Sequence, residues 1–220
     1  MTEDWKFQRR RSRLVDELRE KGIEDEKVLG AISRVQRHQF VEQAFLPRAY
    51  HDEALPIGMK QTISQPFTVA YQSQILAPKP GERILEIGTG SGYQAAVLCE
   101  MGANVYTIER IRQLYERTSV SLRKLGYAAN CRFSDGMIGW ETMAPFDGII
   151  VTAGAIDVPD SLLKQLKMPE GMNPGGRLVI PVGNRDEQMM NYIVRMGEDE
   201  FDRVETEAFR FVPLLGNTST

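Results

Sequence analysis

The spacing of hydrophobic residues changes character near residue 80. Before this point, apolar residues recur at helical spacing, as in Val28, Ile32 and Val35. This part also contains similar apolar stripes at 14–18 and 40–45. A helical stretch follows at 69–76 and ends before Pro78. The spacing predicts short helices from residue 4 to about residue 46 and another helix over 69–76.

From Gly81 onward, short apolar runs rich in β-branched residues alternate with helical segments. Such runs lie at 83–87, 105–108, 131–133, 146–151 and 177–182. The alternation predicts βαβ units and a parallel sheet that is covered on both faces. Two later runs, 190–196 and 204–212, have no helix between them and predict an antiparallel hairpin at one edge of the sheet.

The chain is therefore predicted to be an α/β protein with a doubly wound, Rossmann-like sheet that is mostly parallel. Residues 1–80 are predicted to form an N-terminal helical cap and a loop, which pack on the core and do not fold independently. Residues 81–220 are predicted to form the core itself.

The segment "LPIGMKQTISQP" (55–66) has neither a helical nor a strand period. It is flanked by Pro56 and Pro66 and contains Gly58, which predicts an irregular loop. Loops on a rigid scaffold often carry the chemistry of a protein. Ser64 in this loop is therefore a candidate site residue.

A glycine-rich turn follows the first predicted strand of the core, in "ILEIGTGSGY" (84–93). Its glycines let a ligand approach the backbone closely, and the helix that follows offers free N–H groups. The next two strands end at Glu109 and at Asp135-Gly136. The ends of parallel strands meet at one edge of a sheet, where Glu109 can accept both hydroxyls of a ribose. Asp135 is suitably placed there for an adenine amino group.

These features favour S-adenosylmethionine over a dinucleotide. A dinucleotide fingerprint requires its third glycine where this chain has Tyr93, and no second domain supplies a nicotinamide partner. Glu86 precedes the glycines, and an acid at this position suits the cationic S-adenosylmethionine. An NAD-linked oxidoreductase and a non-enzymatic sensor of an adenosine ligand stay open as alternatives.

Composition argues against several other functions. The formal net charge of −3 and the single basic cluster Arg9–Arg13 disfavour a nucleic-acid partner. Two histidines and two cysteines without metal-site spacing predict no metal. No apolar run approaches the roughly 20 residues of a membrane span, and the charged start lacks a signal peptide. We therefore expect a cytoplasmic protein without a membrane partner, and a monomer.

A series of motifs runs in order through residues 25–215: "ALPIG", "QTISQP", "LEIGTGSGY", "VYTIER", "FDGIIVTAG", "GGRLVIPVG" and "RFVPL". Together they resemble the protein-L-isoaspartate O-methyltransferase family, with "QTISQP" and "RFVPL" as the most specific parts. The resemblance implies methyl transfer from S-adenosyl-L-methionine to the free α-carboxylate of L-isoaspartyl residues in damaged proteins. This reaction initiates repair through a succinimide and leaves S-adenosyl-L-homocysteine. The alternative is an S-adenosylmethionine-dependent methyltransferase with another carboxylate or a small-molecule substrate.

The resemblance also implies site residues, with Ser64 as the active-site serine. Together with the glycine turn, it predicts cofactor contacts at Thr62, Ile63, Ser64, Gln65, Glu86, Gly88, Gly90, Ser91, Gly92, Glu109, Arg110, Asp135 and Gly136. The predicted substrate contacts are Pro66, Val212, Pro213 and Leu214. Pro213 leaves backbone groups without a sheet partner, so an extended peptide can pair there. The chain departs from the family at Met59-Lys60, at Ser134 and at residues 168–173.

A carboxylate substrate needs no general base, because its pKa of about 4 leaves it ionised at neutral pH. The enzyme must instead align the substrate and replace its water. Ser64 can do part of this by donating a hydrogen bond to one carboxylate oxygen. A seryl nucleophile is a rival hypothesis, for which only His51-Asp52 is a nearby base. A turn serine bonded to its own backbone is the simplest alternative.

Overall fold

The structure is a computed structural model and describes residues 5–219. The α-helices in that range are α1 Trp5–Glu20, α2 Glu26–Arg34, α3 Pro66–Leu76, α4 Tyr93–Glu100, α5 Arg112–Lys124 and α6 Asp160–Lys164. The strands are β1 Leu55–Gly58, β2 Gln61–Ile63, β3 Arg83–Ile87, β4 Asn104–Glu109, β5 Asn130–Phe133, β6 Gly148–Val151, β7 Arg177–Gly183, β8 Gln188–Arg195 and β9 Phe201–Phe209.

The main sheet has seven strands in the order β5-β4-β3-β6-β7-β8-β9. Strands β5, β4, β3, β6 and β7 are parallel, and β8 and β9 add to them antiparallel. The side chains of β3 alternate between two hydrophobic clusters, with Ile84 in one and Leu85 and Ile87 in the other. Both faces of the central strand are therefore buried, which explains its continuous apolar sequence. The predicted fold class is confirmed.

The helical extension shares its hydrophobic core with the sheet. One cluster of buried residues includes Leu14 from α1, Ile32 from α2, Val69 from α3, Ile84 from β3 and Val179 from β7. Burying these side chains stabilises both parts together, because each removes the apolar surface of the other from water. The division at residue 80 into cap and core stays a prediction.

The prediction of an irregular loop at 55–66 is wrong. Its first part forms an antiparallel hairpin in which Leu55 of β1 pairs with Ile63 of β2. The turn residues Met59 and Lys60 have φ angles of 52° and 57°. Glycine or asparagine normally signals this left-handed turn, so its absence at these two positions concealed the hairpin.

The third helical stripe, at 40–45, does not form an α-helix. The structure has two 3-10 helices instead, Arg37–Phe40 and Gln43–Arg48, and Pro47 lies inside the second. Proline lacks the N–H that a continuing α-helix requires, so the segment forms only short turns. No helix within residues 5–219 is long and apolar enough to cross a membrane.

Candidate active site

A cavity opens at the carboxyl ends of the central strands, and both polar and apolar residues line it. It lies where β3 turns into α4, and the β2–α3 connection and the segment after β9 complete its walls. Its polar lining includes Thr62, Ser64, Glu86, Thr89, Ser91, Gln94, Glu109, Arg110 and Thr152, and its backbone lining includes Gly88, Gly90 and Gly136.

Gly88 begins the turn at the base of the cavity and has a φ angle of 98°. A Cβ atom at this position would lie 2.5 Å from Oγ1 of Thr152, which itself donates a hydrogen bond of 2.8 Å to the Gly88 carbonyl. Both the backbone conformation and the close neighbour therefore require glycine. The tight turn brings the main chain to the cavity surface.

Glu109 ends β4 and presents a fixed carboxylate to the cavity. Its Oε2 accepts a hydrogen bond of 2.9 Å from the Gly90 N–H, and its Oε1 accepts one of 2.9 Å from the Ile111 N–H. The side chain is buried except where it lines the cavity. Each carboxylate oxygen can accept a further hydrogen bond, so the group can hold two ligand hydroxyls.

Glu86 lies in β3 and is fully buried against the cavity. Its Oε2 accepts a hydrogen bond of 2.5 Å from Thr107, and the Thr107 hydroxyl lies 2.6 Å from that of Thr89. Burial raises the pKa of Glu86 to about 8; the Thr107 hydrogen bond opposes this shift, and the neighbouring charge of Glu109 adds to it.

Three buried side-chain oxygens of cavity-lining residues have no hydrogen-bond partner within the described chain: the Tyr93 hydroxyl, and the two acceptors Oε1 of Glu86 and Oε1 of Gln94. The amide of Gln94 is fixed by a hydrogen bond of 2.9 Å to Ser73. Unsatisfied buried acceptors are costly. This pair therefore fits a ligand that carries a cationic donor such as an ammonium group.

Ser64 lines the cavity directly after β2, and its hydroxyl makes no hydrogen bond to any residue in the range 5–219. The geometry gives no support to a turn serine bonded to its own backbone. It also opposes a seryl nucleophile, since His51 is exposed and lies 3.4 Å from Glu53 instead. The hydroxyl is available to a substrate.

The segment after β9 forms the opposite wall. Gly154 donates a hydrogen bond of 2.8 Å to the Val212 carbonyl and accepts one of 2.7 Å from the Leu214 N–H. Pro213 lies exposed between these two residues and lines the cavity with them. The backbone of this wall is therefore fixed by the loop after β6. The expectation that Pro213 leaves the backbone without a sheet partner is wrong for the Val212 carbonyl and the Leu214 N–H, because a parallel bridge joins Pro213 to Gly154.

Residues 215–219, which we call the strap, continue from this wall, and Leu215 lines the cavity. Asn217 donates its backbone N–H to Oδ2 of Asp135 over 2.6 Å and accepts a hydrogen bond of 2.8 Å from Nε of Arg110. Ser219 bonds through its backbone to Arg110 and Arg112. The strap thus connects the residues that follow β4 with those that follow β5.

Most of the predicted site residues line this cavity, and four do not: Gln65, Pro66, Gly92 and Asp135. Gln65 points to Asp52, and Pro66 is buried at the start of α3. The carboxylate of Asp135 bonds the N–H groups of Met137 and Asn217, although its neighbour Gly136 reaches the cavity. The roles assigned to all of these residues stay predictions.

Several lining residues were not predicted from the sequence. Thr89, Gln94, Thr152, Ala153 and Leu215 all reach the cavity. Gln94 had a usable signal, because it is a polar residue in an otherwise apolar helical run. Thr152 directly follows a buried strand, at the sheet edge where parallel strands place ligand contacts. Leu215 carries no such signal, since only the path of the strap brings it to the site.

Comparisons with known proteins agree with this geometry. The family model of protein-L-isoaspartate(D-aspartate) O-methyltransferase matches residues 9–219. The protein-L-isoaspartate O-methyltransferase of Salinibacter ruber is 55% identical over 218 residues, which cover 97% of this chain and 95% of the relative. The enzyme of the same name from Christiangramia forsetii is 54% identical over 216 residues, or 98% of both chains.

Solved structures show the same fold. A protein-L-isoaspartate O-methyltransferase matches with a TM-score of 0.82 and 26% identity, over 94% of this chain and 66% of that one. A Plasmodium falciparum chain described by the same activity, in complex with S-adenosyl-L-homocysteine, matches with a TM-score of 0.79 and 23% identity, over 94% and 99%. The chain belongs to the protein-L-isoaspartate(D-aspartate) O-methyltransferase family, as the motifs from "QTISQP" to "RFVPL" predicted.

Proposed function

We propose that the chain transfers the methyl group of S-adenosyl-L-methionine to the free α-carboxylate of L-isoaspartyl residues in damaged proteins. The product ester initiates repair through a succinimide. One observation carries the proposal: a single cavity brings the free Ser64 hydroxyl together with the buried acceptors of Glu86, Gln94 and Glu109. Membership of the family supports the same reaction.

The polar groups of the cavity fit S-adenosyl-L-methionine. The unpartnered oxygens of Glu86 and Gln94 would accept hydrogen bonds from its ammonium group. Glu109 would hold the ribose hydroxyls, and the backbone at Gly88 allows close approach. When bound, the cofactor supplies an electrophilic methyl group. The residues of this chain need only hold its two ends in place.

Ser64 would orient the substrate. An isoaspartyl α-carboxylate is ionised at neutral pH, so no side chain has to remove a proton. The Ser64 hydroxyl would donate a hydrogen bond to one carboxylate oxygen and leave the other free to face the methyl group. Alignment of this kind contributes several kcal/mol to catalysis, up to about 11 kcal/mol in favourable cases.

The Val212–Leu214 wall would bind the peptide. Isoaspartate reroutes the main chain through its side chain, so recognition must use the backbone beside the misplaced carboxylate. Pro213 has no N–H, and its neighbours are already bonded to Gly154, which keeps this wall extended and rigid. An extended peptide would bond instead to the Val212 N–H and the Pro213 carbonyl, which have no partner within residues 5–219, with little preference for its side chains.

The test is a methylation assay on two synthetic peptides that differ only in an aspartyl or an isoaspartyl linkage. We expect a labelled methyl group on the isoaspartyl peptide alone. Equal labelling of both peptides would leave a methyltransferase but remove the repair function. Calorimetric titration with S-adenosyl-L-homocysteine and with NADH separates the alternatives, and binding of NADH alone would end the methyltransferase proposal.

A cytoplasmic location and a monomeric state stay predictions. The free thiols of Cys99 and Cys131 support a reducing compartment. Cell fractionation and light scattering on the purified protein would test the location and the oligomeric state.

A further inference from the structure

Asp52 belongs to the helical extension but bonds to the residues that follow Ser64. Its side chain is only 2% exposed. Its Oδ1 accepts a hydrogen bond of 2.7 Å from the backbone N–H of Phe67. Its Oδ2 accepts hydrogen bonds of 2.9 Å from Nε2 of Gln65 and 2.6 Å from Nζ of Lys21. One buried carboxylate therefore joins the turn that follows α1, the β2–α3 connection and the first turn of α3.

The connection that carries Ser64 is very short. Strand β2 ends at Ile63 and α3 begins at Pro66, so only Ser64 and Gln65 lie between them. Ile63 is buried and paired with Leu55, which fixes the connection on its N-terminal side. Ser64 makes no hydrogen bond of its own within residues 5–219. On the C-terminal side, the bonds from Gln65 and Phe67 to Asp52 are the polar anchors.

These anchors are strong for physical reasons. Hydrogen bonds to a charged acceptor stabilise more than neutral ones. A carboxylate at the first turn of a helix also interacts favourably with the helix dipole, and α3 has 11 residues. Lys21 balances the charge from the solvent side, and its hydrogen bond to Asp52 is the largest of the influences that raise the pKa of Lys21.

We propose that Asp52 is a positioning residue for methyl transfer, which sets the place of the Ser64 hydroxyl from within the helical extension. It does not line the cavity and is not a catalytic residue. The inference rests on the proposed function, in which Ser64 orients the substrate carboxylate. Through Asp52, the helical extension would help to orient the substrate.

The central experiment compares Asp52→Ala with Glu53→Gln. Glu53 is the matched control, because it is the next residue, its carboxylate is likewise paired with a basic side chain (Arg48, where Asp52 has Lys21), and it makes no side-chain bond to residues 62–67. We expect Asp52→Ala to lower the single-turnover rate of methyl transfer about ten- to a hundredfold, the scale of a displaced reacting group. Glu53→Gln should keep the wild-type rate, and both variants should keep the affinity for S-adenosyl-L-homocysteine.

Amide hydrogen exchange gives a readout that needs no turnover. In Asp52→Ala, the segment 62–67 should exchange faster than in wild type, while in Glu53→Gln it should not. Asp52→Asn keeps an acceptor for Phe67, and Gln65 can rotate its amide to meet the new Nδ2. Asp52→Asn should therefore recover part of the methyl-transfer rate and part of the protection of residues 62–67 from exchange. It also keeps the inference testable if Asp52→Ala does not fold.

A double-mutant cycle with Ser64→Ala completes the test. If Asp52 acts through Ser64, adding Asp52→Ala to Ser64→Ala should cause little further loss of rate. Additive losses, or a wild-type single-turnover rate in both Asp52 variants, would overturn the inference. If the wild type methylates neither peptide, the proposed function is wrong, whatever the role of Asp52. If amide exchange of residues 62–67 is unchanged in Asp52→Ala, the positioning role is wrong, whatever the substrate.

Discussion

The carboxyl group of Glu86 links the stability of the protein to its charge state. The pKa of about 8 in the fold lies well above the ordinary value of 4.5, because the group is fully buried. Between these two values the unfolded chain has lost this proton and the folded chain holds it. The stabilising contribution is therefore complete below about pH 4.5 and is lost as the pH rises through about 8.

Glu86→Gln should remove this dependence. Without cofactor, the free energy of unfolding of wild type should fall relative to the variant by about 1 kcal/mol per pH unit between pH 5 and 8. The glutamine keeps an acceptor for Thr107 but cannot ionise when an ammonium group binds beside it, as Glu86 can, so the variant should bind S-adenosyl-L-methionine more weakly. Urea unfolding across this pH range and calorimetry measure the two effects. Parallel stability curves would show that Glu86 is ionised throughout.

Ser64→Ala should slow the enzyme without abolishing its activity. The lost hydrogen bond to a charged group corresponds to about 1.5–3 kcal/mol, or roughly a ten- to hundredfold lower rate of single-turnover methyl transfer. Affinity for S-adenosyl-L-homocysteine, measured on the same preparation, serves as the control for an intact cofactor site. A wild-type rate would make Ser64 only a turn residue. Complete loss, with a serine adduct in the mass spectrum of wild type, would make it a nucleophile.

The hairpin of β1 and β2 holds two residues in a conformation that suits neither. Met59 and Lys60 both adopt positive φ angles in its turn, and both side chains are exposed. The double substitution Met59→Asn, Lys60→Gly should raise the free energy of unfolding by about 1 kcal/mol, since these residues accept a left-handed turn. Met59→Ala with Lys60→Ala is the control, which removes the same side chains but keeps the strain. A shift of the urea midpoint in both pairs would refute the explanation by turn geometry.

The elements predicted most accurately were those with a strong period or a distinctive composition. The predicted strand 83–87 coincides with β3, and the predicted hairpin after it is formed by β8 and β9. Strands β3 and β8 are buried on at least one face, so their patterns record their environment, whereas β9 has no buried residue and, within residues 5–219, pairs only with β8. The hairpin at 55–63 was missed because its turn has no glycine or asparagine at the two central positions.

Only the site residues at or near the ends of predicted strands could be predicted from the sequence. Glu86 and Glu109 belong to strands whose order the sequence pattern predicts, so their meeting at one edge was foreseeable. The bonds of Asp135 to Asn217 and of Gln65 to Asp52 join distant segments. Such contacts depend on the packing of irregular chain, which has no periodic signal.

We predict that the strap supports the proposed cofactor site, although it lies far along the chain from the glycine turn. Asn217 has a φ angle of 63° and donates its N–H to Asp135. Asn217→Pro removes the donor and cannot adopt this angle, so it should weaken binding of S-adenosyl-L-homocysteine about tenfold, near the lower limit for a bond to a charged group. Asn217→Gly keeps both features and should bind like wild type in the same calorimetric titration. Equal affinity in the two variants would show that the strap does not support the site.

The position of the strap also has a consequence for biosynthesis. Domains fold as units while the ribosome still extends the chain, and residues 215–219 are made after every strand of the sheet. A nascent chain can thus complete its sheet and glycine turn while Asp135 and Arg110 still lack their strap contacts. We expect such a chain to capture cofactor poorly until residues 215–219 have also folded onto Asp135 and Arg110.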